Sequence, residues 1–84
     1  MKQWCVYILR CGDDTLYTGM TDDFDKRLAA HRAGKGAKYT RGRSPLEPVY
    51  REMCENLSAA LKREHAIKQL TRAQKLELIT SHRA

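Results

Sequence analysis

The sequence predicts an α+β fold: a small three-stranded antiparallel sheet flanked by three helices, in the order ββαβαα. Three observations predict it. Two short runs rich in β-branched and aromatic residues, Trp4 to Arg10 and Leu16 to Met20, are separated by turn chemistry. A third such run lies at Val49 to Glu55. Three other stretches begin on capping residues and continue with helix-forming ones.

The first run, Trp-Cys-Val-Tyr-Ile-Leu-Arg, is almost continuously apolar, which suits a strand covered on both faces. Cys11-Gly12-Asp13-Asp14-Thr15 supplies the turn, and Leu16 to Met20 the second arm of a hairpin. Thr21-Asp22-Asp23 then offers an N-cap and acids suited to a helix N-terminus. That helix is expected from about Asp23 to Ala33, with Gly34 as its stop. Gly34 to Pro48 holds three glycines and two prolines and reads as a basic loop. After the third strand, Asn56 or Ser58 caps a helix of roughly Ser58 to Gln69. Thr71 caps another, roughly Arg72 to Ser81.

With 84 residues, one domain spanning 1–84 is expected. Apolar residues make up 42%, an ordinary globular share that argues against disorder. No run approaches the ~20 apolar residues of a membrane span, and the apolar run near the N-terminus is short for a signal peptide. A cytoplasmic location is expected. Cys5, Cys11 and Cys54 form no Cys-x-x-Cys pair, so neither a disulfide framework nor a zinc site is indicated. Cys5 and Cys54 fit as small core residues, and Cys11 as an exposed turn thiol.

The net charge is +6, and its distribution is uneven. Between Lys26 and Arg43 lie seven lysines and arginines and no acid. Such a block favours a polyanion, nucleic acid first, although a solvated basic surface is an equal reading. Within it, Tyr39 stands among Lys35, Lys38, Arg41 and Arg43. An aromatic among cations suits a base stacked on the ring with phosphates held beside it, or else local packing.

Some polar residues stand where helix periodicity places apolar ones. Phe24, Arg27, Leu28 and His31 share one helix face, the one expected to turn inward. Leu57, Ala60, Leu61, Glu64 and Ile67 form a stripe with a carboxylate in its middle. A carboxylate there needs a cation or donors, supplied by Arg27 or by a metal ion. Tyr7, Tyr17 and Gly19 share a sheet face if odd residues of the hairpin pair with odd. The glycine would then leave room for a phosphate beside the two hydroxyls.

Together these positions resemble the GIY-YIG nuclease superfamily. Val6-Tyr7-Ile8 is similar to its first signature tripeptide and Tyr17-Thr18-Gly19 to its second, with nine residues separating the two tyrosines. Arg27, His31 and Glu64 follow in the family's order. Gly36-Ala37-Lys38-Tyr39-Thr40-Arg41 and the Pro-x-x-Pro-Val-Tyr after it resemble the small single-domain bacterial, YhbQ-like branch. Val6 and Thr18 depart from the family's letters. Met20 stands where several relatives, such as the repair-nuclease branch, have a lysine that would help lower a tyrosine pKa.

The resemblance implies an endonuclease that hydrolyses phosphodiester bonds in nucleic acid, DNA before RNA, with low sequence specificity, in DNA repair or processing. It implies Tyr7, Tyr17, Arg27, His31 and Glu64 as the catalytic set and one Mg²⁺ or Mn²⁺ held by Glu64. Tyr7 would be the general base. Lys35, Lys38, Tyr39, Arg41 and Arg43 would contact the nucleic acid. The alternative is a non-catalytic nucleic-acid-binding module on the same fold.

Overall fold

The computed structural model describes residues 3–83. The observed order is β1 (Cys5–Arg10), β2 (Leu16–Thr21), α1 (Phe24–Arg32), β3 (Glu47–Met53), α2 (Leu57–Lys68) and α3 (Arg72–Arg83). The three strands form one antiparallel sheet in the order β2-β1-β3, as expected. The central β1 is buried from Cys5 to Leu9, in keeping with its unbroken apolar run.

The helix signals read from the sequence are used. The Asp23 side chain accepts from the backbone N–H of Lys26, and Asn56 accepts from that of Ala59. Thr71 and Gln74 exchange side-chain bonds to each other's backbone N–H, a capping box. Gly34, at φ +78°, ends α1. The N–H of Lys35 reaches back to Ala30 O at 2.8 Å, and that of Gly34 to His31 O at 3.0 Å, a Schellman closure.

Two expectations shift. The third strand starts at Glu47 rather than Val49 and includes Pro48. It is an edge strand with an irregularity opposite Ile8 and Leu9, so a residue without an N–H is tolerated there. On α2, Leu57 and Leu61 point outward, while Ala60 and Ile67 are fully buried. The small Ala60 lets the helix lie close on the sheet and turns the two leucines to the outside.

The two faces of the sheet are covered differently. Val6 and Ile8 meet Tyr50, Cys54, Ala60, Ile67 and Ile79 in an apolar core beneath α2 and α3. The opposite face carries Cys5, Tyr7 and Leu9 and is covered by α1 and the loop of residues 33–46. All three cysteines are free and buried, Cys11 included, contrary to its expected exposure. Its turn is covered by the loop, where the Gly12 N–H donates to Arg43 O. A Cβ on Gly12 would collide with Ser44 O, 2.1 Å away. Among the described residues, no helix is long and apolar enough to cross a membrane.

Candidate active site

The hairpin pairs odd residues with odd, placing Tyr7 opposite Gly19 and Leu9 opposite Tyr17. Tyr7 and Tyr17 therefore lie on the α1 face, with ring centroids 6.4 Å apart. The space at Gly19 is not left for a phosphate. A Cβ there would fall 2.6 Å from the Tyr7 hydroxyl oxygen and 3.0 Å from the Tyr17 ring, so the tyrosines themselves fill it.

His31 comes from the last turn of α1 and is 1% exposed. Its Nε2 lies 2.8 Å from the Tyr7 hydroxyl, and its Nδ1 lies 2.9 Å from Thr40 Oγ1. Thr40 in turn donates to Ala37 O at 3.1 Å. That network assigns the protons. A hydroxyl has one hydrogen, and Thr40 gives its own to Ala37, so it must accept from Nδ1–H. Nε2 is left with a lone pair, and Tyr7 donates to it. Gly36 closes the arrangement: a Cβ there would sit 2.4 Å from His31 Nδ1, so only a glycine lets the loop backbone lie on the ring.

Electrostatics support the same protonation states. Burial lowers the pKa of His31, and the Arg27 charge lowers it further, which keeps the ring neutral. Burial also pushes the Tyr7 phenol up to about 12, only partly offset by the Arg27 guanidinium beside it. Tyr7 is thus a protonated donor, not a ready phenolate. Arg27 faces both hydroxyls, and its own pKa is raised, first by Tyr7 and, to a lesser extent, by Tyr17.

Arg27 also has an unmet need. Its Nε is buried without a hydrogen-bond partner. The same residue lines a cleft of about 230 Å³ with Thr21, Asp22, Asp23, Lys26 and Ala30. A buried guanidinium N–H lacking an acceptor costs ~1–3 kcal/mol, and an anion's oxygen would remove that cost.

Four of the five expected catalytic side chains are therefore brought together: Tyr7, Tyr17, Arg27 and His31. Glu64 belongs to α2, which packs on the Val6 and Ile8 face and chiefly over the edge strand β2. It is partly buried, and it pairs with Lys68 at 3.6 Å rather than with Arg27. Arg63, one position earlier, holds Glu52 through its Nε at 2.9 and 3.0 Å.

In the basic loop, Lys35, Lys38 and Arg41 are exposed. Tyr39 stacks on Tyr17 at 5.8 Å, and the Arg43 guanidinium lies 4.5 Å from the centre of its ring. Arg43 also pairs with Asp13 of the hairpin turn. Local packing of Tyr39, one of the two readings, is thus realised, although the ring remains 43% exposed. Two residues with structural roles in the site were not singled out by periodicity: Thr40, which fixes the histidine tautomer, and Gly36 beneath the ring. Both lie in the Gly-Ala-Lys-Tyr-Thr-Arg run that carried part of the family resemblance.

Residues 3–77 match the model of the GIY-YIG catalytic domain. The chain belongs to the GIY-YIG family. Within the family it is similar to a UPF0213 protein of Natronomonas pharaonis, 55% identical over 74 residues, with 88% of this chain and 87% of the relative covered. A UPF0213 protein of Clostridium perfringens is 58% identical over 76 residues, covering 90% of this chain and 82% of the relative. The solution NMR structure of a UPF0213 protein from Bacillus halodurans superposes with a TM-score of 0.61 at 42% identity. It covers 95% of this chain and 84% of that one. Tyr7 and Tyr17, the tyrosines that carry the resemblance, are thus the two that converge on His31 and Arg27.

Proposed function

We propose that this GIY-YIG domain is a metal-dependent endonuclease that hydrolyses phosphodiester bonds in nucleic acid, DNA before RNA, with low sequence specificity. The observation that carries the reading is Arg27. Its Nε is buried without a partner, its side chain lines a cleft, and it stands beside a tyrosine that donates to a neutral histidine. An orphaned guanidinium donor is matched by a phosphate oxygen, and more so by the charge that grows on phosphorus during displacement.

In this reading Arg27 binds the scissile phosphate, and Tyr17, half-buried beside it, helps to orient that group. Tyr7 takes a proton from the attacking water as it passes its own to His31 Nε2. The high pKa of Tyr7 is then no obstacle, because the phenolate never accumulates; the neutral imidazole is the acceptor. Thr40 keeps Nε2 open for that proton.

Among the described residues there is no group of three or more His, Cys, Asp or Glu side chains able to hold a metal. A single carboxylate leaves most positions to water and a phosphate oxygen, which suits a hard, weakly held cation such as Mg²⁺ or Mn²⁺. Glu64, half-buried with only a long contact to Lys68, would be that carboxylate. The ion would supply Lewis-acid stabilisation of the phosphoryl and leaving oxygens. The exposed cations Lys35, Lys38 and Arg41, with Tyr39 and Arg43, would hold the flanking strand.

The test is cleavage of labelled DNA and RNA structures with Mg²⁺ or Mn²⁺. Glu64→Ala should abolish cutting and leave binding largely intact. Arg27→Ala should lower the rate at least ~100-fold. Full activity in EDTA would sink the metal assignment. Salt-dependent binding with no metal-dependent cutting by the wild type would leave a binding module instead.

A further inference from the structure

A second cleft, of about 190 Å³, is lined by Thr15, Leu16, Tyr39, Arg72 and Lys75. Three separate segments build it: the start of β2, the loop, and the first turns of α3. Arg72 and Lys75, three apart on a helix, share one face. Arg72 is fixed by Asp14 at 3.1 Å. Lys75 is half-buried and has no carboxylate partner among the described residues. An apolar and aromatic wall therefore faces an unneutralised ammonium group.

The cleft adjoins the reactive group. Tyr39 stacks on Tyr17, and Tyr17 lies edge-on to His31 at 5.2 Å. Its volume is below the ~300 Å³ at which ordinary small-molecule sites begin, so it has room for one flat ring and not for a base pair. In a duplex the faces of the bases are stacked away. A ring can enter such a cleft only from an unpaired position.

We propose that this cleft is a subsite for one unpaired nucleotide, its base against Leu16 and the edge of Tyr39, whose ring already carries Tyr17 and Arg43, and its phosphate on Lys75. The proposal rests on the nucleic-acid reading of the chain and narrows it to strands with a single-stranded position beside the cut: overhangs, gaps or free single strands.

Binding is measured by fluorescence anisotropy in EDTA, so that cutting plays no part. The probes are a short single-stranded oligonucleotide, the blunt duplex of the same sequence, and that duplex with an overhang. The wild type should prefer the single strand and the overhang to the blunt duplex. Tyr39→Ala should weaken single-strand binding by about 5- to 100-fold, while Tyr39→Phe keeps it, since the ring and not the hydroxyl is used. Lys75→Gln, which keeps most of the side-chain length at this half-buried position, should weaken it and lower the slope of log affinity against log salt by about one. Blunt-duplex binding should change by about twofold or less in Lys75→Gln.

Equal wild-type affinity for all three probes, no binding at all, or unchanged single-strand affinity in Lys75→Gln and Tyr39→Ala would each overturn the subsite. Metal-dependent cleavage lost only in Glu64→Ala, with wild-type binding in the Tyr39 and Lys75 variants, would remove the subsite and leave the nuclease. Single-strand binding that depends on Tyr39 and Lys75 in a protein that never cuts would keep the subsite and remove the nuclease.

Discussion

The two faces of the sheet share one central strand and put it to opposite uses. Val6 and Ile8 enter a core of aliphatic, aromatic and small side chains under α2 and α3. Tyr7, between them, enters a face of hydroxyls, an imidazole and a guanidinium under α1. Both faces are dry: Ile8, Tyr7 and His31 are each at most 1% exposed. Burial alone therefore does not separate core from site. The separation lies in what burial does to the side chain. On the first face it removes hydrocarbon from water, and on the second it moves pKa values and leaves a donor without an acceptor.

The sharpest way to break this comparison is to change adjacent residues of β1. On the proposed mechanism, Tyr7→Phe should slow cleavage about 10²–10⁴-fold. It should cost only ~1–3 kcal/mol of stability for the lost partner of His31. Ile8→Ala should do the reverse, costing ~2–5 kcal/mol in urea unfolding while the rate of the folded fraction stays near wild type. Comparable rate losses in both would mean that the faces are not separate. Next in size, Gly36→Ala should displace the His31 ring, cost ~1–3 kcal/mol of stability and lower the rate.

The smallest effect is on pH dependence. His31 is held neutral below its ordinary value of 6.5, so its contribution is complete above pH 6.5 and is lost as pH falls through its lowered folded value. Tyr7 has the opposite sign: its contribution is complete below pH 10 and is lost as pH rises from 10 towards about 12. Melting temperature should thus be flattest between pH 6.5 and 10, and Tyr7→Phe should remove much of the alkaline decline. An unchanged alkaline limb in that variant would show that another group sets it.

Much of this was legible in the sequence because it depends on local chemistry. Asp23, Asn56 and Thr71 cap the helices they precede, and Gly34 ends α1. The inward Arg27 and His31 followed from helix period alone. Other features depend on which segments meet, and periodicity does not report that. The outward turn of Leu57 and Leu61 follows from Ala60 seating α2 on the sheet. The burial of Cys11 follows from a loop thirty residues away covering its turn. Thr40 looked like one polar residue in a basic loop, and only the fold brings it to Nδ1 of His31. That α2, which carries Glu64, packs chiefly over the edge strand β2 was invisible for the same reason.

The segment of residues 33–46 holds the exposed cations and also Thr40 and Gly36, which hold the imidazole. On the proposed function, recognition and the seating of the imidazole would draw on the same few consecutive residues. Replacing this loop to retarget the protein would also unseat the histidine, whereas substitutions at Lys35, Lys38 and Arg41 would leave Thr40 and Gly36 in place. Changes in substrate preference are accordingly expected to accumulate as single side-chain exchanges within a loop of fixed length and fixed glycine position, not as insertions or transplants.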